Sequence, residues 1–304
     1  MDVSIVIPLY NRKEYIRKTL DSIAVSGVAP RQVIVVDNDS DDGSYAYVKN
    51  ISGLYDYDIV LTTEKRRGAS VARNKGLELC QSKWVYFFDS DDVFTGMPSS
   101  WDEGCDLVCL PTRQLVGGKL KTRSYECVST PHTQIVSSML NTPSMIFNTS
   151  FLRSIGGWDE SLRIWDDWEL GTRALIASRR TQWVASKAYH EILIHDDSIT
   201  GRDFSSRCSA ILSTLEKAGE DVTGVKDGME RNRCALALYL RCRMMCGMFK
   251  REGAMDAFRE CVSFIDSHYS VNVNYKKIGD MLEWYVSKGG RGAWRIVMYI
   301  VRHM

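Results

Sequence analysis

Trp84-Val-Tyr-Phe-Phe-Asp-Ser-Asp-Asp92 joins an apolar run directly to three carboxylates, Asp89, Asp91 and Asp92. A short apolar run rich in aromatic and β-branched residues predicts a buried strand. This one ends abruptly in charge. The same transition occurs upstream. Val3-Ser-Ile-Val-Ile7 predicts a strand stopped by Pro8, and Gln32-Val-Ile-Val-Val36 a strand running into the acidic loop Asp37–Asp42. Between them Asn11, with Glu14 three residues later, makes a capping-box-like helix start, and Ile16, Leu20, Ile23 and Ala24 recur at helical spacing. Ile59–Thr62 predicts another strand and Gly68–Cys80 another helix. Strand alternating with helix implies an α/β fold with a mostly parallel, doubly wound sheet flanked by helices. Ligands of such sheets bind beyond the carboxyl ends of the strands. Pro8–Asn11, Asp37–Ser40 and Asp89–Asp92 are therefore expected along one edge.

Working outward, Gly96–Thr200 is less regular, with short strand-like pieces at Leu107–Leu110, Ser144–Phe147 and Ile192–Ile194 and a helix from Trp168. Beyond Phe204 glycine and proline thin out. The rest reads as helices over Ser205–Ala218, Glu230–Phe249, Met255–Ser267 and Tyr275–Ser287, followed by a last stretch. A boundary near Arg202 divides the 304 residues into residues 1–202, themselves split into a regular half (1–95) and a less regular half (96–202), and a helical region 203–304.

Bulk composition excludes several classes. The formal net charge is +1, so no global field draws the chain to nucleic acid. Nine cysteines occur without a Cys-x-x-Cys pair, and Cys105/Cys109 and Cys242/Cys246 read as small core residues on adjacent turns. No signal peptide is recognisable at Met1–Pro8, which suggests a reducing cytoplasm. No apolar run approaches the roughly 18 residues of a membrane span.

Three carboxylates packed behind one strand repel each other unless a cation shares them. Mg²⁺ and Mn²⁺ take oxygen ligands and bridge carboxylates to phosphates. The plain alternative is a solvated acidic turn capping the next helix. Five motifs in order favour the cation: VSIVIPLYN (Val3–Asn11), VIVVDNDSDDGS (Val33–Ser44), GASVARNKGL (Gly68–Leu77), YFFDSDD (Tyr86–Asp92), and GGWDESL with WDDWEL (Gly156–Leu162, Trp165–Leu170). Together they closely resemble glycosyltransferase family 2, a group with the GT-A fold, over the first two-thirds of the chain.

That resemblance implies an inverting transferase that moves a sugar from a nucleotide-sugar, typically a UDP-sugar, to an acceptor hydroxyl on a glycan or lipid-linked glycan. Residues 1–202 would be its catalytic domain, with a nucleotide-binding half (1–95) and an acceptor-binding half (96–202). Pro8, Tyr10 and Asn11 would border the nucleotide. Asp37 and Asn38 would hold the base, Asn38 standing where relatives usually carry a second Asp. Gly68, Arg73 and Asn74 would line the donor pocket together with Ser90. Asp89 and Asp91 match the Asp-x-Asp element that holds the metal, and His195 stands where some relatives place a further ligand. Asp167 matches the catalytic base of a Glu-Asp pair whose first member is here Asp166.

The chemistry is coherent apart from the resemblance. A breaking glycosyl–diphosphate bond builds negative charge that a divalent cation stabilises, and an attacking hydroxyl must give up a proton to a carboxylate. Each residue also has a plain reading. Asp37 could cap the following helix, Asp166, Asp167 and Glu169 could serve only as the acidic first turn favoured by the helix dipole, and His195 could be an ordinary histidine. Arg66 and Arg67 read as a solvated basic pair. A P-loop and a Gly-x-Gly-x-x-Gly fingerprint are absent, against kinases and dehydrogenases. So is the Gln-x-x-Arg-Trp element of processive synthases. A sugar nucleotidyltransferase would carry a Gly-rich basic loop after the first strand. A non-catalytic sugar- or nucleotide-binding protein would have no use for Asp89, Asp91 and Asp167 together.

Trp294, Val297, Met298 and Val301 fall on one helical face, accompanied by Lys288, Arg291, Arg295 and Arg302. A basic amphipathic end suggests peripheral contact with an anionic membrane at its inner face. The alternative is packing against the catalytic domain or against a second copy of the chain.

Overall fold

The computed structural model describes residues 2–116, 119–122, 130–184, 190–194 and 204–304. β1 (Val3–Leu9), β2 (Gln32–Asp37), β3 (Ile59–Thr63) and β4 (Trp84–Phe87) are the four expected strands. Between them lie α1 (Lys13–Val25), α2 (Ser44–Ile51) and α3 (Ala69–Leu79). β1 sits between β2 and β4, parallel to both, and β3 runs parallel to β2.

β1 does not stop at Pro8, which stays in register with Val36. Val6 O accepts from Phe88 N, so groups on alternate residues from Val6 face the β4 side. β4 ends at Phe87. The missing Pro8 N–H therefore costs the ladder nothing. The helix start also differs from expectation. α1 is capped from another loop, with Asp42 Oδ2 accepting from Lys13 N at 3.0 Å.

The sheet continues through β6 (Leu107–Cys109), β9 (Met145–Asn148) and β10 (Thr181–Trp183) in the order β10-β6-β9-β4-β1-β2-β3. Only β9 runs antiparallel to its neighbours, so the sheet is mostly parallel. A second sheet, β5-β11-β7-β8, unites β5 (Val93–Phe94), β7 (Arg113–Val116), β8 (Lys119–Thr122) and β11 (His190–Ile194). Sequence periodicity marked only Ile192–Ile194 of it, because β5, β7 and β8 are two to four residues long and carry little periodic signal.

The chain forms two compact units. The first comprises Met1–Cys127, Leu140–Ser161 and Ala177–Asp197, and the second Val128–Met139, Leu162–Ile176 and Ser198–Met304. Val3, Ile5 and Ile7 pack with Ile16, Leu20, Ile23, Val33 and Val35 in the first. Helices build the second: α4 (Pro131–Ser137), α6 (Asp166–Ala177), α7 (Cys208–Thr223), α8 (Gly228–Glu252), α9 (Met255–His268), α10 (Val273–Ser287) and α11 (Ala293–Arg302). The short α5 (Thr149–Ser154) belongs to the first. Val297, Met298 and Val301 of the C-terminal stripe are buried in the core of the second unit, while Trp294 remains partly exposed. Eight cysteines among the described residues are buried free thiols. Among those residues no helix is long and apolar enough to cross a membrane.

Candidate active site

The ends of β1, β2 and β4 lie side by side, and side chains stitch them together. Past β1, Asn11 adopts a left-handed backbone (φ 49°) and exchanges hydrogen bonds with the next loop. Its Nδ2 donates to Asp41 Oδ1 at 2.8 Å, and its Oδ1 accepts from Asp41 N at 3.0 Å. Arg12 Nε reaches Asp91 Oδ2 at 3.3 Å and so ties β1's end to β4's. Tyr10 is half-exposed at the same edge, with the Arg67 guanidinium 4.2 Å from its ring centroid. Arg67 also pairs with Asp39 at 3.3 Å.

Asp37 closes β2. Its Oδ2 accepts from Ser40 N at 3.2 Å, whereas its Oδ1 is buried without a hydrogen-bond partner. A buried carboxylate oxygen left unpaired is costly, so Asp37 is ready to accept from a ligand N–H or O–H. Asn38 is different. Its amide donates to Glu64 O (2.9 Å) and Arg66 O (2.8 Å) and accepts from Gly68 N (2.8 Å). Both N–H groups are spent on holding the 64–68 loop. Gly68 has φ 145°, a backbone closed to other residues at little cost, and opens α3.

From α3, Arg73 is buried and donates to Asp89 Oδ1 at 2.8 Å, its guanidinium 4.4 Å from the Trp158 ring centroid. Asn74 donates to Trp158 O and Glu160 Oε1 and accepts from Trp158 N. That reciprocal grip fixes the Gly156-Gly157-Trp158 turn, where a Cβ on Gly157 would sit 2.7 Å from Asn74 Oδ1. Ser90 is buried, and its carbonyl accepts from Thr19 Oγ1, which also donates to Asp92 O.

The three carboxylates after β4 have different partners. Asp89 pairs with Arg73 and Asp91 with Arg12, while Asp92 is buried against His190 Nε2 at 3.0 Å. Partial desolvation of the Asp89 carboxyl, whose side chain is still 46% exposed, raises its pKa to about 6 against the pull of Arg73, with Asp92 and Asp91 adding repulsion. Burial likewise drives His190 down to about 3, so its imidazole is neutral. The carboxylate oxygens of Asp89 and Asp91 are of the kind a hard cation takes. Among the described residues no three His, Cys, Asp or Glu side chains gather as a metal cage. Asp89 and Asp91 offer carboxylates from one edge only, so an ion held there would take its other ligands from outside these side chains.

Asp167 lies in the first turn of α6, half-exposed, with its Oδ1 accepting from Trp168 N at 2.7 Å. Asp166 precedes it. His195 lies outside the described residues. Sequence reasoning overlooked Arg12, Thr19 and His190, and set Arg67 aside as one of a solvated basic pair. Thr19 alone gave a signal, as a polar residue inside the apolar stripe of α1. The partners of the others come from distant loops and strands.

A mostly parallel sheet with such an edge and flanking helices is a GT-A-type fold. TarS 1–349 of S. aureus in complex with UDP-GlcNAc superposes with a TM-score of 0.69 over 100% of this chain and 92% of that one, at 16% identity. The mannosyltransferase PcManGT of Pyrobaculum calidifontis, in complex with GDP-Man and Mn²⁺, gives 0.53 at 16% identity. The Glycosyl transferase family 2 profile matches residues 4–148, just under half of the chain, and this segment is similar to that family. The minor teichoic acid biosynthesis protein GgaA of Bacillus subtilis (strain 168) is 26% identical over 227 residues, covering 67% of this chain and 50% of its own length. The putative teichuronic acid biosynthesis glycosyltransferase TuaG of the same organism is 37% identical over 90 residues, 30% of this chain and 36% of its own. The chain spans half or less of the length of these curated relatives.

Proposed function

We propose that the chain transfers a sugar from a UDP-sugar to an acceptor hydroxyl in one inverting displacement, in the synthesis of a bacterial surface glycan or glycolipid. The observation that carries this reading is the unpaired, buried Asp37 Oδ1 beside exposed Tyr10. It offers a base an acceptor next to an aromatic face. Kinship with proteins named for teichoic and teichuronic acid synthesis supports the polymer class.

Asp89 and Asp91 would hold Mg²⁺ or Mn²⁺ against the donor diphosphate. When bound, the ion supplies positive charge to the leaving phosphate oxygens. Pro8, Asn11, Gly68 and Ser90 shape the donor edge, and Arg73 orients Asp89. Asn38 and Asn74 contribute by fixing the loops around that edge. Asp167 takes the proton from the acceptor hydroxyl, a role that rests on the sequence motif. His195 stands as a further candidate ligand on the same basis. Residues 1–202 form the catalytic region in this reading and residues 203–304 its helical extension. Work at the inner face of the membrane, through Lys288, Arg291 and Arg295 beside exposed Trp294 and Tyr299, belongs to the same proposal. Association of two copies does too.

Calorimetric titration of UDP with Mn²⁺, then with EDTA, alongside GDP and Asp91→Ala, tests it. UDP binding that needs the metal and disappears in the variant is expected. No binding of either nucleotide under any of these conditions would overturn the donor site.

A further inference from the structure

Arg241, in the middle of α8, is a cation with no anionic partner among the described residues. Its guanidinium lies 4.4 Å from the ring centroid of Trp165 and 4.9 Å from that of Trp168. One nitrogen, Nη1, donates to Ile135 O at 2.9 Å, while Nε is buried with no hydrogen-bond partner. Arg241 forms no ion pair among the described residues. Burial draws its pKa down to about 10, so it is still charged at neutral pH. Two indole faces take the place of a carboxylate, an arrangement suited to a planar guanidinium and poorly matched by an ammonium.

The two indoles bracket Asp166 and Asp167 in sequence, and their rings lie 5.8 Å apart. Trp165 holds φ 57°, a left-handed backbone that a bulky side chain adopts only where its surroundings impose it. Its carbonyl accepts from Glu169 N, so this strained residue starts the first turn of α6. Phe204 packs on Trp165 and stacks in turn on Phe249 of α8. The strain thus sits immediately before the acidic pair, and what restrains it is a stacked cation.

We propose that Arg241 is a positioning residue for Asp167: by gripping Trp165 and Trp168 together it holds the left-handed turn that sets where the Asp167 carboxylate stands. This rests on the reading of Asp167 as the base. Removing the cation frees Trp165 to relax and displaces the carboxylate, while the donor-binding edge of the first unit is untouched.

The test compares Arg241→Met, Arg241→Lys, Asp167→Asn and the Arg241→Met/Asp167→Asn double variant with the wild-type chain. UDP release is followed with UDP-glucose, UDP-galactose, UDP-GlcNAc and UDP-GalNAc, together with UDP affinity and the melting midpoint. In Arg241→Met, kcat should fall on the order of 10²-fold, with donor KM and UDP affinity within about two-fold of wild type. Arg241→Lys should recover part of the loss. The double variant should be no slower than Asp167→Asn, because the arginine acts through that carboxylate. Wild-type kcat in Arg241→Met overturns the proposal. So does a loss that adds in full to that of Asp167→Asn, or one shared equally by UDP affinity and melting. Wild-type turnover in Asp167→Asn instead removes the reading of Asp167 itself. If none of the four donors is turned over by the wild-type chain, an unaltered near-ultraviolet tryptophan dichroism in Arg241→Met overturns the clamp.

Discussion

At the residue scale, one position in the acidic loop separates what chemistry suggests from what geometry does. Asn38 follows Asp37 where relatives usually carry a second Asp, so the sequence reads it as a base-binding group. Its two amide N–H groups instead face the carbonyls of Glu64 and Arg66. Asn38→Asp would set a carboxylate against two carbonyl oxygens and forfeit both bonds. It should cost about 2 kcal/mol or more in chemical denaturation and weaken UDP binding by loosening the 64–68 loop. A variant of unchanged stability and affinity would return Asn38 to the role of ligand contact. The placement of its neighbours was legible for a simple reason: Asp37 ends one apolar strand and Asp89 and Asp91 follow another, so they come together at the carboxyl ends of a parallel sheet. The partners Arg12, Arg73 and His190 were not legible as partners, since which cation meets which carboxylate is set by loops and strands distant in sequence.

Among the elements, α6 and α7 share a buried acidic contact. Glu169 is fully buried and bonded to Arg173, with Nε to Oε1 at 2.6 Å. Burial first, then the charge and hydrogen bonding of Glu169, pushes Asp221 of α7 up to about 7. The folded chain therefore keeps a proton on Asp221 that the unfolded chain releases near the ordinary carboxylate value of about 3.9. Stability from this site is complete below that value and is lost as pH rises through about 7. Thermal melts of the wild-type chain should fall by a few degrees between pH 5.5 and 8, and Asp221→Asn should flatten that slope and melt higher at pH 8. An identical slope in the variant would assign the pH dependence to other groups. Periodicity located both helices, because an apolar stripe is a local signal. It could not reveal that two acids meet, nor that β5, β7, β8 and β11 assemble into a second sheet.

For the molecule as a whole, the C-terminal stripe divides by burial. Val297, Met298 and Val301 are committed to the helical core, leaving Trp294 and Tyr299 outward with Arg291 and Arg295. If this face meets anionic lipid, Lys288→Glu/Arg291→Glu/Arg295→Glu should reduce sedimentation with phosphatidylserine vesicles at least about tenfold, at roughly 1 kcal/mol per basic residue. Equal sedimentation would remove the membrane reading and leave the fold intact. The discontinuous second unit also has a consequence for biogenesis. Ile135, Val136, Ile164 and Trp168 leave the ribosome long before Leu215, Leu238 and Val297, with which they share a core. Through that interval α4 and α6 are nascent segments without a hydrophobic shelter, exposed to chaperones and proteases. A chain terminated after residue 202 would keep them in that condition permanently. Its expression should yield insoluble or degraded product, scored by the soluble fraction, and supplying residues 203–304 as a separate polypeptide during synthesis should rescue it. Maturation of the segment that bears Asp167 is thereby tied to the synthesis of residues 203–304.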